Sequence, residues 1–134
     1  MKINITGLEG QQEIDINQIP DIVDGSCSEI RVGDLLDHVE YESQMTVLDT
    51  ILSKVRYGGT VHFAGVDIYQ IAHSLTFGVI NSQKAIQTLF SNNHKSATCM
   101  STLIDQLNSR GFTVATSEIY HQQYVISAKK FKHA

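Results

Sequence analysis

The sequence predicts an open α/β sheet, mostly parallel and finished by a C-terminal antiparallel hairpin. Three observations carry that prediction. Val47, Leu48, Ile51, Leu52 and Val55 recur at helical spacing, Gly58-Gly59 follows, and Thr60–Val66 then reads as a strand closed by Asp67. A helix feeding a strand through a glycine turn is half of a parallel β-α-β unit. Strand-like and helix-like stretches alternate through the remainder of the chain. Finally, Phe112–Ile119 and Gln123–Lys129 flank a short turn at Tyr120–Gln122, the pattern of a hairpin.

Taken in order, Lys2–Thr6 is a first strand, rich in β-branched residues, and Gly7-Leu8-Glu9-Gly10 is a turn. Glu13–Asn17 alternates as a short second strand, and Ile19–Gly25 is loop, with Pro20, Asp21, Asp24 and Gly25 as turn formers. Glu29–Val32 is a strand that delivers Gly33-Asp34-Leu35-Leu36-Asp37-His38 at its C-terminal end. A helix over Tyr41–Arg56 is expected to stop at the glycine pair, with Lys54 and Arg56 complementing the helix dipole. Asp67 suits the N-cap of a helix over Ile68–Leu75, with Gly78 beyond its end. Asn81 or Ser82 caps the next helix, whose inner face is Ala85, Ile86, Leu89 and Phe90. Ser91–Lys95 is polar loop. Thr98–Arg110 is a helix with the stripe Met100, Leu103, Ile104 and Leu107, ended by Gly111.

At 134 residues the chain is one domain with a single core. A net charge of −4 argues against a nucleic-acid partner, which needs a basic face, and Lys129, Lys130 and Lys132 read as a solvated tail. Cys27 and Cys99 form no CxxC pair and read as free thiols of a reducing compartment. No secretory signal pattern and no apolar run of membrane-spanning length occurs, so the expected location is cytoplasmic, without a membrane partner.

Three segments together resemble the C-terminal half of class I S-adenosylmethionine-dependent methyltransferases, nearest to small members found beside glycan-synthesis genes. Asp24-Gly25-Ser26-Cys27-Ser28-Glu29-Ile30 and Leu35-Leu36-Asp37-His38 match a D-G-S-x-D/S-E-I segment and an L-E-H strand end, with Asp37 in place of Glu. Val55-Arg56-Tyr57-Gly58-Gly59 and Val66-Asp67 match a helix ending V-L-K-P-G-G and a strand ending P-D, with Tyr57 replacing proline. Gly111-Phe112 opens the family's final hairpin, which closes at Tyr124–Ala128. The likeness spans about Asp21 to Lys130 and implies a Rossmann-like three-layer sandwich. Residues 29–134 then form an intact C-terminal half, and residues 1–28 an abbreviated cofactor side. There the family has a glycine-rich turn and an acid that binds the ribose. This chain has only Gly7-Leu8-Glu9-Gly10, and Asp15 stands nearest to the acid's place.

The resemblance implies that S-adenosylmethionine would meet Gly7, Glu9, Gly10 and Asp15 on one side of the cleft. Asp34 and Leu36 would meet it at a strand end, where ligands of open α/β sheets bind. His38 and Asp67 are the candidate general bases for a small-molecule or glycan-related acceptor, and the family likeness also allows a homodimer. Against these roles, Asp37 and His38 would also serve to cap or salt the following helix, and Asp67 is equally a helix N-cap. The six histidines show no H-E-x-x-H or related spacing, so no metal site is expected, and His62 reads as a half-buried strand residue. Tyr69, Tyr120 and Tyr124 would flank a pocket near the hairpin or pack at its rim. Two other functions compete with methyl transfer. One is a methyltransferase-fold module for binding or assembly that has lost the cofactor loop. The other is a different α/β binder of nucleotides or sugar phosphates.

Overall fold

The computed structural model describes residues 1–4, 12–13, 16–91 and 94–131. Among these residues six strands form one mixed sheet: β1 (Lys2–Asn4), β2 (Gln12–Glu13), β3 (Cys27–Gly33), β4 (Val55–Val66), β5 (Phe112–Tyr120) and β6 (Gln123–Lys130). Their order across the sheet is β2-β1-β3-β4-β6-β5. The pairs β1–β2, β1–β3 and β3–β4 are parallel. The hairpin of β5 and β6 is antiparallel, and β6 also lies antiparallel to β4, from Thr60 opposite Lys129 to Val66 opposite Gln123. The two longest ladders are therefore the antiparallel ones, and the sheet is evenly mixed where the sequence predicts mostly parallel pairing. The sequence-derived strands at 2–6 and 13–17 extend in part beyond the described residues, and Ile16–Asp21 is a 3-10 turn where loop and strand are expected.

Among the described residues four α-helices accompany the sheet: α1 (Gln44–Ser53), α2 (Ile68–Thr76), α3 (Ser82–Phe90) and α4 (Met100–Ser109). The core joins Ile3, Ile30 and Val32 of the first strands to Leu48, Ile51 and Leu52 of α1, and to Leu103 and Leu107 of α4. Val61 and Phe63 of β4 and Tyr124 and Ile126 of β6 complete it. Burying a side chain of this size contributes about 1.5–3 kcal/mol, so these alternating strand residues and helix stripes hold the layers together. Of the stripe predicted for the last helix, Leu103 and Leu107 are buried, and Met100 and Ile104 pack against them.

The first helix ends at Ser53, three residues before the Arg56 end that its glycine pair predicts. Its last carbonyls are taken by the turn that leads into β3 and by the first residue of that strand: the Gly25 amide donates to Ser53 O at 3.0 Å and the Cys27 amide to Lys54 O at 2.9 Å. Val55 is already paired with Cys27 across the sheet. Glu29 pairs with Thr60, so residues 56–59 bulge out of β4 and the glycines serve that bulge. Gly58 takes φ +82°, and a Cβ on Gly59 would lie 2.8 Å from Val55 Cγ1 and 2.9 Å from Arg56 O. A second correction concerns α3. Ala85 is buried and Leu89 packs on the small cluster of Val66 and Ile71, whereas Ile86 and Phe90 are exposed. Cys27 and Cys99 are both free thiols, the first buried.

Candidate functional site

β3 ends at Gly33, whose φ of +63° turns the chain into a 3-10 turn over Leu35–His38. That turn sends its side chains to different places. Leu36 enters the core, and its carbonyl accepts from Gln44 Nε2 at 3.3 Å. Asp37 turns inward and is fully buried, with Oδ2 accepting from the Val66 amide at 2.9 Å. Burial raises its carboxyl to about 6, with the Val66 hydrogen bond and the nearby His94 opposing that rise. Asp34 and His38 remain at the lip. They sit four residues apart, and His38 Nε2 lies 3.2 Å from Asp34 Oδ2.

A third residue joins them from far along the sequence. The amides of Lys95 and Ser96 donate to the Asp37 carbonyl at 2.7 and 3.1 Å. Ser96 Oγ lies 2.6 Å from the Val39 carbonyl and 3.0 Å from that of Leu36, and it accepts from Gln44 Nε2 at 2.7 Å. These bonds seat the segment after α3 on the 35–38 turn and carry His94 to the lip. His94 Nε2 lies 3.8 Å from Asp34 Oδ2, and the His38 and His94 rings meet edge to face with centroids 4.8 Å apart. Beside them opens a hollow of about 360 Å³ lined by Asp34, Val66, Lys84, Gln87, His94 and Gln123. Sequence spacing does not reveal His94, because 56 positions separate it from His38 and it stands in an unpatterned polar stretch.

Asp67, the other candidate base, closes β4. Its Oδ1 accepts from the Gln70 amide at 3.0 Å and caps α2, as the sequence predicts. Its Oδ2 accepts from the Met100 amide at 2.8 Å, the first residue of α4. One buried carboxylate thus serves the N-termini of two helices. Gly65, one turn of the pleat earlier, lies against the same interior. A Cβ there would stand 2.8 Å from Tyr124 Oη and 2.9 Å from Asp37 Oδ2. Tyr124 is buried in the core and not at a pocket rim, and burial pushes its phenol well above the ordinary range. Tyr69 and Tyr120 are exposed. His62 lies half-buried in β4, with Nδ1 2.7 Å from Ser127 Oγ.

The structure brings Asp34 and His38 together, with Leu36 directly between them in the chain and Asp67 at the end of the neighbouring strand. Gly7, Glu9, Gly10 and Asp15 lie outside the described residues. Among the described residues no helix is long and apolar enough to cross a membrane.

No protein-family profile and no curated protein sequence matches this chain. Solved structures do. A SAM-dependent methyltransferase from Archaeoglobus fulgidus superposes with a TM-score of 0.63 at 15% identity, over 90% of this chain and 68% of that one. One from Methanosarcina mazei gives 0.65 at 10% identity, over 92% and 69%. A magnesium protoporphyrin IX methyltransferase from Synechocystis with bound SAH gives 0.58 at 16% identity, over 93% and 54%. An O-methyltransferase family protein from Burkholderia thailandensis is spanned over only 36% of its length. Likeness at such identity establishes the fold: this chain has a methyltransferase-like α/β architecture.

Proposed function

We propose that the protein is an S-adenosylmethionine-dependent methyltransferase acting on a small-molecule acceptor. The observation that carries this reading is the position of the Asp34–His38 pair at the C-terminal end of a parallel strand, in a fold shared with methyltransferases. When bound, S-adenosylmethionine supplies an electrophilic methyl group on a sulfonium. The described side of the cleft suits such a ligand: Asp34 is 47% exposed and offers a carboxylate to a cationic group. Gly7, Glu9, Gly10 and Asp15 complete the proposed contact set. His38, held by Asp34 in one ring orientation, is the stronger candidate to receive the acceptor's proton. Both oxygens of Asp67 are engaged with backbone amides, which favours a positioning role for it.

Calorimetric titration with S-adenosylmethionine and with S-adenosylhomocysteine tests the reading. Saturable heat for both, lost in Asp34→Ala, is the expected result. No heat at high micromolar ligand removes the enzyme from consideration.

A second reading is a methyltransferase-fold module for binding or assembly without catalysis. It draws on Tyr69, Phe77, Val79, Ile86 and Phe90, which α2, α3 and their connection leave exposed. Light scattering across a concentration series separates the two. Cofactor binding by a strict monomer counts against the module, and self-association without cofactor binding supports it.

A further inference from the structure

We propose that Asp34, His38 and His94 form a binding site for one divalent transition-metal ion of the zinc class. One ligand atom from each of these residues lies within 4.8 Å of the other two. Asp34 Oδ2 is 3.2 Å from His38 Nε2 and 3.8 Å from His94 Nε2. Zinc–ligand bonds of about 2.0–2.2 Å in a tetrahedron place neighbouring donors about 3.4 Å apart. The two separations from Asp34 straddle that value, and the third, between the histidine nitrogens, is no more than 4.8 Å.

His94 supplies the second, independent observation. Its side chain is only 8% exposed. Its Nδ1 has no hydrogen-bond partner among the described residues, and its Nε2 lies beyond hydrogen-bonding distance of the Asp34 carboxylate. A nearly buried imidazole whose Nε2 faces a carboxylate without hydrogen-bonding it has room for an ion between them. The His38–Asp34 pair is complete as a hydrogen bond and needs no third member. A metal ion at the centre would be met by Nε2 of His94, the nitrogen 3.8 Å from Asp34 Oδ2, and explains why all three groups converge.

The donor chemistry selects the metal. Two imidazoles and one carboxylate suit zinc, iron, cobalt or nickel, whereas magnesium and calcium prefer oxygen alone. Three protein ligands leave a coordination position open toward the adjoining hollow, the arrangement of catalytic sites as opposed to structural ones. The site rests on donor geometry alone and stands whether or not S-adenosylmethionine binds. In a methyltransferase it assigns Asp34 and His38 to the metal, and activation of an acceptor hydroxyl to the ion in place of a free imidazole.

The test uses the full chain, stripped with a chelator and titrated with Co²⁺ alone, followed by visible absorption and calorimetry. One equivalent of Co²⁺ should bind with the d–d bands of a low-coordinate site. Zn²⁺ should displace it and a large excess of Mg²⁺ should not. Asp34→Asn, His38→Ala and His94→Ala should each weaken binding at least about tenfold, since even outer-shell partners are worth that much. His73→Gln, at an exposed histidine of α2, should leave binding unchanged. Asp34 is half exposed, so Asp34→Asn keeps the test valid should a more buried variant fail to fold. Absence of one-to-one binding overturns the proposal, as does wild-type affinity in Asp34→Asn together with either histidine variant that folds.

Discussion

Lys54 carries its ammonium into the protein with a side chain only 8% exposed and meets Asp24 Oδ1 at 2.6 Å. The hydrogen bond and charge of Lys54 hold the Asp24 carboxyl below its ordinary value of 3.8. A carboxyl depressed on folding stabilises the native state above its unfolded pKa, and that contribution is lost as pH falls through the folded value. Urea unfolding should therefore show Asp24→Asn less stable than wild type at pH 7, with the gap closing below about pH 3.8. Asp67 makes the stronger case for a single residue. Removing two N-terminal hydrogen bonds at about 1 kcal/mol each should make Asp67→Ala about 2 kcal/mol less stable, measurable by denaturant unfolding. Both caps on α2 and α3 are legible in the sequence, because Asp or Asn three residues before a paired amide is a local rule. The second bond of Asp67 is not, since Met100 reaches it only through the tertiary fold. His94 is hidden for the same reason.

Elements show where local rules fail. Gly58-Gly59 looks like a helix stop because glycine caps helices. Here the helix is ended by its neighbour, whose amides at Gly25 and Cys27 claim its last carbonyls. Ile86 and Phe90 look like an inner face, yet the sheet offers α3 only the small cluster of Val66, Ile71 and Ala85, which leaves both outside. The last helix and the hairpin are read to within a residue or two at their ends, since periodicity, glycine and turn agree there. Strand β4 carries a sharper consequence at Gly65. Gly65→Ala should cost about 1–3 kcal/mol by thrusting a methyl group against Asp37 and Tyr124. Tyr124→Phe removes a buried hydroxyl with no partner among the described residues. It should raise stability by up to about 1 kcal/mol and recover part of the Gly65→Ala loss in the double variant, read from the two unfolding midpoints.

At the scale of the whole molecule, one core runs under the parallel and the antiparallel parts of the mixed sheet alike, from Ile3 of β1 through Phe63 of β4 to Ile126 of β6. The apolar side chains on α2 and α3 lie outside that core. Ile86→Glu with Phe90→Glu should change stability by less than about 0.5 kcal/mol while raising the solubility limit, checked by unfolding and by turbidity against concentration. The shared carboxylate of Asp67 has a different kind of consequence. It ties the first turn of α2 to the first turn of α4, two stretches about thirty residues apart in the chain. Neither turn can open without stranding a charge that the other still holds. The amide protons of Gln70 and Met100 should then exchange with deuterium at one common opening free energy, as a single cooperative unit, and in Asp67→Ala both should lose protection together.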